Sequence, residues 1–209
     1  LYNYICIGGV YHDLPQGFVD KTTEFLNYFK PKIEDLNKIF SDTSIFIKRT
    51  ANVGILPVET AIAYGVTGPN LRGSGVKWDI RKNEPYSIYN NFDFDIPVGT
   101  GEHGSIGSCF DRYMVRVKEM EESMKILYQA LKQIPDGDPK STIPKVIRPS
   151  VGEIYYRTET PRGELGYYIV SDGTPKPYRI KARSPCFCAI NVVEAIGPGS
   201  MIADAVATV

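Results

Sequence analysis

Residues 67–81 have the sequence Thr-Gly-Pro-Asn-Leu-Arg-Gly-Ser-Gly-Val-Lys-Trp-Asp-Ile-Arg, and this stretch decides how the fold is interpreted. It follows neither the 3.6-residue period of an amphipathic helix nor the alternation of a half-buried strand. Arg72, Asp79 and Arg81 can form forked ion pairs, while the glycines let the backbone pass where a side chain would collide. The stretch predicts a shaped, charged loop. An ordinary buried turn with a structural salt bridge is the alternative that spacing alone leaves open.

The composition is that of a globular protein. Of the 209 residues 43% are hydrophobic, which is enough for a core in one domain or in two closely packed subdomains. Lys plus Arg equals Asp plus Glu at 24 each, so no general field attracts nucleic acid or anionic lipid. The sequence contains no apolar run near the roughly 20 residues of a membrane helix and opens with no signal peptide. We therefore expect no nucleic-acid partner and no direct membrane span, so that any membrane association depends on another protein.

Two long amphipathic helices are predicted from apolar residues at three- and four-residue steps. The first covers Gln16 to Ser41, with a kink or break near residues 28–30 because Pro31 removes a backbone donor. The second covers Cys109 to Ile134. These apolar stripes indicate that the two helices pack together. Their members are Phe18, Phe25, Phe29, Ile33, Leu36 and Phe40 in the first helix, and Tyr113, Val117, Met120, Met124, Leu127 and Leu131 in the second.

The remaining elements are short. Alternating apolar residues predict one strand at Asn91 to Val98, and three strands with intervening turns predict an antiparallel meander late in the chain. The meander strands are Gly152–Thr158, Leu165–Val170 and Tyr178–Ala182. Short helices are expected at Pro57–Tyr64 and Asn191–Ile196, with a strand or helix at Met201–Val209. The fold class is α+β: a helical bundle core at residues 1–140, and a small antiparallel region with a C-terminal helix at 141–209, in one continuous domain.

The cysteines do not predict a metal site or a disulfide scaffold. Cys6, Cys109, Cys186 and Cys188 form no Cys-x-x-Cys pair, and the chain has only two histidines. Cys186-Phe187-Cys188 could ligate a metal or be redox active, but free thiols in a reducing compartment fit equally well. His103, in the glycine-rich loop at 99–107, is expected to be exposed rather than a ligand.

Five stretches resemble, in the same order, the D subunit of respiratory complex I, the 49 kDa subunit of the mitochondrial enzyme. They are residues 8–15 (Gly-Gly-Val-Tyr-His-Asp-Leu-Pro), 67–81, 111–120 (Asp-Arg-Tyr-Met-Val-Arg-Val-Lys-Glu-Met), 159–166 (Glu-Thr-Pro-Arg-Gly-Glu-Leu-Gly) and 203–204 (Ala-Asp). The resemblance covers essentially the whole chain. It makes structural signature residues of Gly8, Gly9, Asp13, Arg72, Gly73, Gly75, Trp78, Asp79, Arg81, Arg112 and Arg116.

The resemblance implies a fold similar to the large subunit of nickel-iron hydrogenases, truncated at both ends. The His and Tyr that the family presents to quinone would lie outside this fragment, so the catalytic residues are unknown and the isolated fragment would be inactive. Two positions depart from the family pattern. Leu1 stands where many relatives have a His near the terminal iron-sulfur cluster, and Cys6 replaces a common Arg, which puts proton coupling to that cluster in doubt.

The resemblance also suggests quinone-chamber residues. In the related hydrogenases a Pro-Arg-Gly turn covers the metal cavity, which in complex I has become part of the quinone chamber. Pro161 and Arg162 would then overhang that chamber, where the guanidinium would stabilise negative charge developing on quinone. An ordinary turn Arg paired with Glu159 or Glu164 is the alternative. Further candidates for the same cavity wall are Ser184, Pro185 and Asp204, although Asp204 fits a structural cap equally well.

The function that the resemblance implies is that of the quinone-site subunit of a proton-translocating NADH:quinone oxidoreductase. Its partners would be the small iron-sulfur protein that holds the terminal cluster, the C subunit and the membrane quinone-channel subunit. Quinone would be the substrate, while NADH, FMN and the iron-sulfur clusters belong to partner subunits and this chain binds no cofactor or metal of its own. The expected location is peripheral, on the cytoplasmic face of the bacterial inner membrane, or the matrix or stroma side in an organelle.

Two rival functions remain open at this point. The large subunit of a membrane-bound nickel-iron hydrogenase would share the fold and the Pro-Arg-Gly turn, but it requires Cys-x-x-Cys pairs near the chain ends. A purely structural subunit would have the same signature without quinone chemistry.

Overall fold

The structure, a computed structural model, describes residues 4–208. Two long helices dominate the first two thirds of the chain, and a three-stranded antiparallel sheet follows them. The helices are α1 (Phe18–Leu36), α2 (Ser44–Thr50), α3 (Val58–Ala63), α4 (Pro69–Gly73), α5 (Ile80–Asn83), α6 (Cys109–Gln133), α7 (Pro185–Asn191), α8 (Val193–Ile196) and α9 (Ala205–Thr208). The predicted α+β class is confirmed.

Helices α1 and α6 pack against each other, as their sequences predict. Leu26 and Ile33 of α1 form one buried cluster with Val117 and Met124 of α6. Ser108 caps the start of α6, since its hydroxyl accepts a hydrogen bond from the backbone N–H of Asp111. The extent of α6 agrees with the predicted Cys109 to Ile134 within one residue.

Helix α1 differs from its prediction in two ways. It is not broken at Pro31, and a π-helical turn at Asn37–Ser41 extends it to the predicted end. The predicted buried face is partly wrong, because Phe25 and Leu36 are exposed whereas Leu26 is buried. Periodicity alone identified several apolar positions around the helix, but α6 covers only the line through Leu26 and Ile33.

The small helices between α1 and α6 surround a second buried cluster, formed by Leu56, Ala61, Val66, Leu71 and Val192. The predicted helix at 57–64 is confirmed as α3, with Pro57 immediately before it. The predicted loop at 67–81 is more ordered than expected, since it contains α4 and the start of α5.

The late strands form the predicted meander. They are β3 (Gly152–Thr160), β4 (Gly163–Ser171) and β5 (Arg179–Arg183), hydrogen bonded in the order β3-β4-β5, and they follow a short hairpin of β1 (Ile5–Cys6) and β2 (Gly9–Val10). Thr160 pairs with Gly163, so only Pro161 and Arg162 connect β3 to β4.

The predicted strand at Asn91–Val98 is wrong. This segment is extended and buries Phe92 and Phe94, but its backbone bonds to side chains of α6 instead of to another strand. Gln129 accepts from the N–H of Asp93 at 2.8 Å and donates to the carbonyl of the same residue at 2.7 Å. Apolar alternation records that one face is buried, and it does so whether the partner is a strand or a helix.

The N-terminal hairpin joins the two halves of the sequence. The N–H of Val10 donates to the carbonyl of Pro139 at 2.9 Å, and the N–H of Ser141 donates to the carbonyl of Gly8 at 2.9 Å. A Cβ atom on Gly9 would lie 2.3 Å from the Pro139 carbonyl oxygen. The glycine pair therefore allows close backbone pairing beside residue 140.

The C-terminal segment is helical. The predicted helix at Asn191–Ile196 begins earlier than expected, because α7 starts at Pro185 and α8 continues to Ile196. The segment from Met201 is a 3₁₀ turn at Ile202–Asp204 followed by α9. Leu1 and Val209, which the sequence analysis discussed, lie outside the described residues. Within residues 4–208, no helix combines the length and apolar character needed to span a membrane.

Candidate functional site

A cavity of about 830 Å³ lies between the end of α1, the middle of α6 and the turn that joins β3 to β4. One part of its wall is apolar and includes Leu36, Val117 and Met120. The opposite part is charged, with four arginines and two glutamates. These are Arg72, Arg81, Arg116, Arg162, Glu119 and Glu159. The predicted chamber residues Pro161 and Arg162 both line this cavity.

Arg72 lies at the centre of the charged wall, with only 2% of its side chain exposed. Its Nε donates to Glu119 Oε1 at 2.7 Å, and its Nη1 donates to Glu159 Oε1 at 2.9 Å. Nη1 also donates to the backbone carbonyl of Trp78 at 2.9 Å. The guanidinium thus joins α4, α6 and β3 through its fork of donors, a geometry that Lys cannot reproduce.

Asp79 and Arg81 form the forked ion pair that the sequence predicts. Arg81 donates from Nε to Asp79 Oδ1 at 3.0 Å and from Nη2 to Asp79 Oδ2 at 2.7 Å. Burial opposes the charge of Arg81, but its hydrogen bonds and attraction to Asp79 outweigh that penalty and raise its pKa. The guanidinium also lies over the rings of Phe94 and Tyr89, at 5.1 and 5.8 Å from their centroids.

The two glutamates of the wall share the Arg72 guanidinium. Burial raises the pKa of both Glu119 and Glu159, because it removes water from their carboxylates, and attraction to Arg72 opposes the shift. Glu159 is 3% exposed and Glu119 is 17% exposed at the side chain. The charged wall is consequently a buried network rather than a set of surface ion pairs.

Arg112 is buried behind this wall and is held mainly by backbone carbonyls. Its Nη1 donates to the carbonyls of Gly54 at 2.7 Å and Gly107 at 2.6 Å. Burial lowers the pKa of Arg112. A Cβ atom on Gly73 would lie 2.6 Å from Arg112 Cγ, so this glycine of the 67–81 stretch lets α4 approach α6 closely.

Arg116 and Arg162 differ from the other arginines of the cavity, because neither forms an ion pair with any residue of the described chain. Arg116 donates instead to the Arg112 carbonyl and to Asn70 Oδ1, both at 2.7 Å. Desolvation lowers the pKa of Arg116, and the positive charges of Arg112, Arg72 and Arg162 lower it further, against the opposing charge of Glu119. The alternative in which Arg162 pairs with Glu159 or Glu164 is not observed among the described residues.

The turn that contains Arg162 is bound to residues that the sequence analysis did not identify. Thr67 Oγ1 accepts a hydrogen bond from the N–H of Glu164 at 3.0 Å and another from Arg183 Nη1 at 3.1 Å. Glu119 was also missed as a site residue, since its place in an acidic stretch of α6 suggested a solvated face. No sequence signal distinguishes these residues from ordinary polar ones, because their partners are distant along the chain.

The predicted single cavity wall is wrong for Asp204, which lines a separate cavity of about 500 Å³. Its buried carboxylate accepts from Arg49 Nη2 at 2.6 Å, so it is paired rather than free. Ser184 and Pro185 lie at the start of α7 and line neither cavity. Asp13 is exposed near the N-terminal hairpin.

The cysteines and His103 have ordinary environments. Cys186 and Cys188 are half-buried free thiols of α7, and His103 is exposed as predicted, with its ring against Phe110. Across residues 4–208, no three His, Cys, Asp or Glu side chains come together in a way that could hold a metal ion.

Comparison with known proteins gives one consistent family. The family model described as respiratory-chain NADH dehydrogenase, 49 Kd subunit, matches residues 1–151 and 140–209. The D subunit of NADH-quinone oxidoreductase from Chlorobaculum parvum is 49% identical over 213 residues, covering 100% of this chain and 53% of the relative. The first of the D subunits of the same oxidoreductase from Cytophaga hutchinsonii is 49% identical over 215 residues, covering 99% of this chain and 55% of the relative. The chain therefore spans about half the length of the curated relatives it matches.

Proposed function

The chain belongs to the family of the 49 kDa subunit of respiratory-chain NADH dehydrogenase, and from this membership we propose that it forms part of the quinone-reduction chamber of an NADH:quinone oxidoreductase. The single observation that carries the proposal is the cavity beneath the Pro161–Arg162 turn. Two guanidinium groups without ion-pair partners among the described residues, those of Arg116 and Arg162, line a space that is otherwise partly apolar. Quinones are apolar rings with two oxygens, and such a cavity can accommodate both parts.

The chemistry of quinone reduction explains why unpaired arginines matter. Reduction adds two electrons, and negative charge develops on the quinone oxygens before protons neutralise it. A fixed cation aimed at that position stabilises the charge without reorganising during the reaction. Arg72 and Arg81 are less suited to this role, because Glu119, Glu159 and Asp79 already neutralise them. Arg162 is therefore the proposed electrostatic residue, with Arg116 contributing to the same field.

The cofactors and partners follow from the same proposal. Electrons would arrive from an iron-sulfur cluster in a neighbouring small protein of the complex, after NADH has reduced FMN in a more distant one. This chain would supply the chamber wall and its charge, whereas the cofactors supply the redox chemistry. The C subunit and the membrane quinone-channel subunit would complete the surroundings. The complex would place the chain peripherally, on the cytoplasmic face of a bacterial membrane or the matrix or stroma side in an organelle.

The test is substitution of Arg162 in the assembled oxidoreductase. Arg162→Ala is expected to lower the kcat of NADH-driven quinone reduction on the order of 100-fold, the typical cost of removing one preorganised charge-stabilising group. Arg162→Lys keeps the positive charge and should retain much more activity. Arg179→Ala is the control, because Arg179 is an exposed arginine of the same sheet that does not line the cavity.

A second electron acceptor separates quinone chemistry from assembly. Ferricyanide accepts electrons before they reach quinone, so NADH:ferricyanide activity should be unchanged in all three variants. Equal loss of both activities would indicate a defect in assembly. Unchanged quinone reduction in Arg162→Ala would contradict the proposed role and favour a structural subunit.

A further inference from the structure

The turn that contains Arg162 is held at both ends by one short segment, residues 67–72. We propose that Thr67 is a positioning residue, which fixes the Pro161–Arg162 turn so that the Arg162 guanidinium faces the cavity. The inference rests on the proposed function, because it concerns how the same site is kept in its working geometry.

The first support is the pair of hydrogen bonds at the Thr67 hydroxyl. Oγ1 accepts from the backbone N–H of Glu164, the second residue after the turn, and from Nη1 of Arg183 on β5. Arg183 Nη1 also donates to the carbonyl of Glu164 at 2.5 Å, and its Nη2 donates to the carbonyl of Gly65. One hydroxyl and one guanidinium thus bind the start of β4 to the segment before α4.

The second support is the close approach of two backbones. A Cβ atom on Gly68 would lie 2.4 Å from the Cα of Gly163, and one on Gly163 would lie 2.6 Å from Thr67 Oγ1. Real Cβ atoms do not tolerate such distances without a shift of the backbone. The Thr67–Gly68 peptide therefore lies directly against the end of the turn, with no intervening side chain to absorb a movement.

The third support comes from the other end of the turn. Glu159, the last residue but one of β3, accepts from Arg72 Nη1 at 2.9 Å. Arg72 belongs to α4, which begins two residues after Thr67. Between these two anchors, Thr160 Oγ1 closes the turn by donating to the carbonyl of Gly163 at 2.7 Å. A short rigid segment thus grips both ends of a two-residue connection.

The Arg162 side chain itself forms no ion pair within the described chain, so the backbone of the turn decides where it lies. Loss of the Thr67 hydroxyl removes the acceptor for the Glu164 N–H and for one Arg183 donor. The turn would then sample other positions, and the guanidinium would spend less time where quinone charge develops. Misplacement of a catalytic group by about 1 Å can cost on the order of 100-fold in rate.

The experiment compares Thr67→Val with Thr67→Ser in the assembled oxidoreductase. Valine matches the shape of threonine but cannot accept a hydrogen bond, whereas serine keeps the hydroxyl. Thr67→Val is expected to lower the kcat of quinone reduction by roughly 10-fold or more while NADH:ferricyanide activity stays unchanged. Thr67→Ser should restore most of the rate. Thr67→Ala, which removes the hydroxyl with less bulk, serves if the valine variant does not assemble.

A double-mutant cycle distinguishes positioning from general damage. If Thr67 acts through Arg162, Thr67→Val should cause little further loss in an Arg162→Ala background. An equal loss in both backgrounds would overturn the inference, and so would normal quinone reduction in Thr67→Val alone. Arg162→Ala without effect would instead overturn the proposed function and the inference with it. Faster hydrogen exchange at the Glu164 amide in Thr67→Val is expected independently of turnover, and unchanged exchange would contradict the anchoring contact.

Discussion

Arg72 and Glu159 lie 87 residues apart in the sequence, and yet Arg72 Nη1 is 2.9 Å from Glu159 Oε1. The contact joins the most distinctive stretch of the sequence to the end of β3, immediately before the turn that contains Arg162. The glycine-rich stretch therefore has two structural consequences. It supplies the buried ion network, and it fixes the neighbouring turn.

Arg72→Met should lower the free energy of unfolding by about 3–5 kcal/mol, the usual cost of removing one partner from a buried ion pair. Glu119 and Glu159 would lose their shared cation and remain buried. Arg72→Lys should cost less, since it keeps the charge but loses the fork. Urea denaturation measures the difference. Lys32→Met is the control, because Lys32 forms an ion pair with Asp35 in which both side chains are about half exposed; its cost should be about 0–1 kcal/mol. Similar costs for Arg72→Met and Lys32→Met would show that the buried network contributes little stability.

Gly68→Ala should destabilise the protein through a collision with Gly163. The cost of such overpacking is about 1–3 kcal/mol, in addition to about 1 kcal/mol for a positive φ angle. Gly17→Ala separates these two effects, because Gly17 has a φ of 74°, against 68° for Gly68, but no atom within 4 Å of the new Cβ. Thermal unfolding of both variants would show a larger decrease in Tm for Gly68→Ala. Equal decreases would mean that backbone strain alone accounts for the loss.

The buried glutamates give the free energy of unfolding a defined pH dependence. Burial raises the pKa of Glu119 above its ordinary value of 4.5, so the folded state binds the proton more tightly than the unfolded state. The stability from this group is present below pH 4.5 and is lost as the pH rises through the higher folded pKa. Glu119→Gln should make this decline shallower. Urea titrations at a series of pH values measure the slope, with Glu121→Gln as an exposed control on the same helix. A slope unchanged by Glu119→Gln would contradict the prediction.

Gln129→Leu should release the extended segment that contains Asp93. The variant loses the acceptor for the Asp93 N–H and the donor to its carbonyl, at about 1 kcal/mol for each hydrogen bond. Hydrogen exchange at the Asp93 amide should become faster, whereas exchange in the β3–β4 ladder should not change. Gln133→Leu, an exposed glutamine later in α6, is the matched control. If both variants exchange alike, the side chain of Gln129 does not protect this segment.

The local elements could be predicted because their signals are local. Helix α6 has a continuous apolar stripe and a capping Ser108, and β3 and β4 are separated by a turn with Pro161 and Gly163. The family could be predicted too, since its motifs occur in order along the chain. The Asp79–Arg81 fork was accessible because the two residues are neighbours, and the placement of Pro161 and Arg162 at a cavity agrees with the resemblance.

The placement of Asp204, the exposed flank of α1 and the partner of the 91–98 segment required the tertiary structure. Sequence spacing fixes the geometry of residues within one element, but it does not specify which distant element approaches it. Arg72 could have been assigned several carboxylates, and only the packing of α4 against α6 and β3 selects Glu119 and Glu159. In the same way Thr67 is an unremarkable residue in the sequence. By itself the sequence determined the helices, the strands and the family, whereas the site depends on contacts between distant residues that only the folded chain brings together.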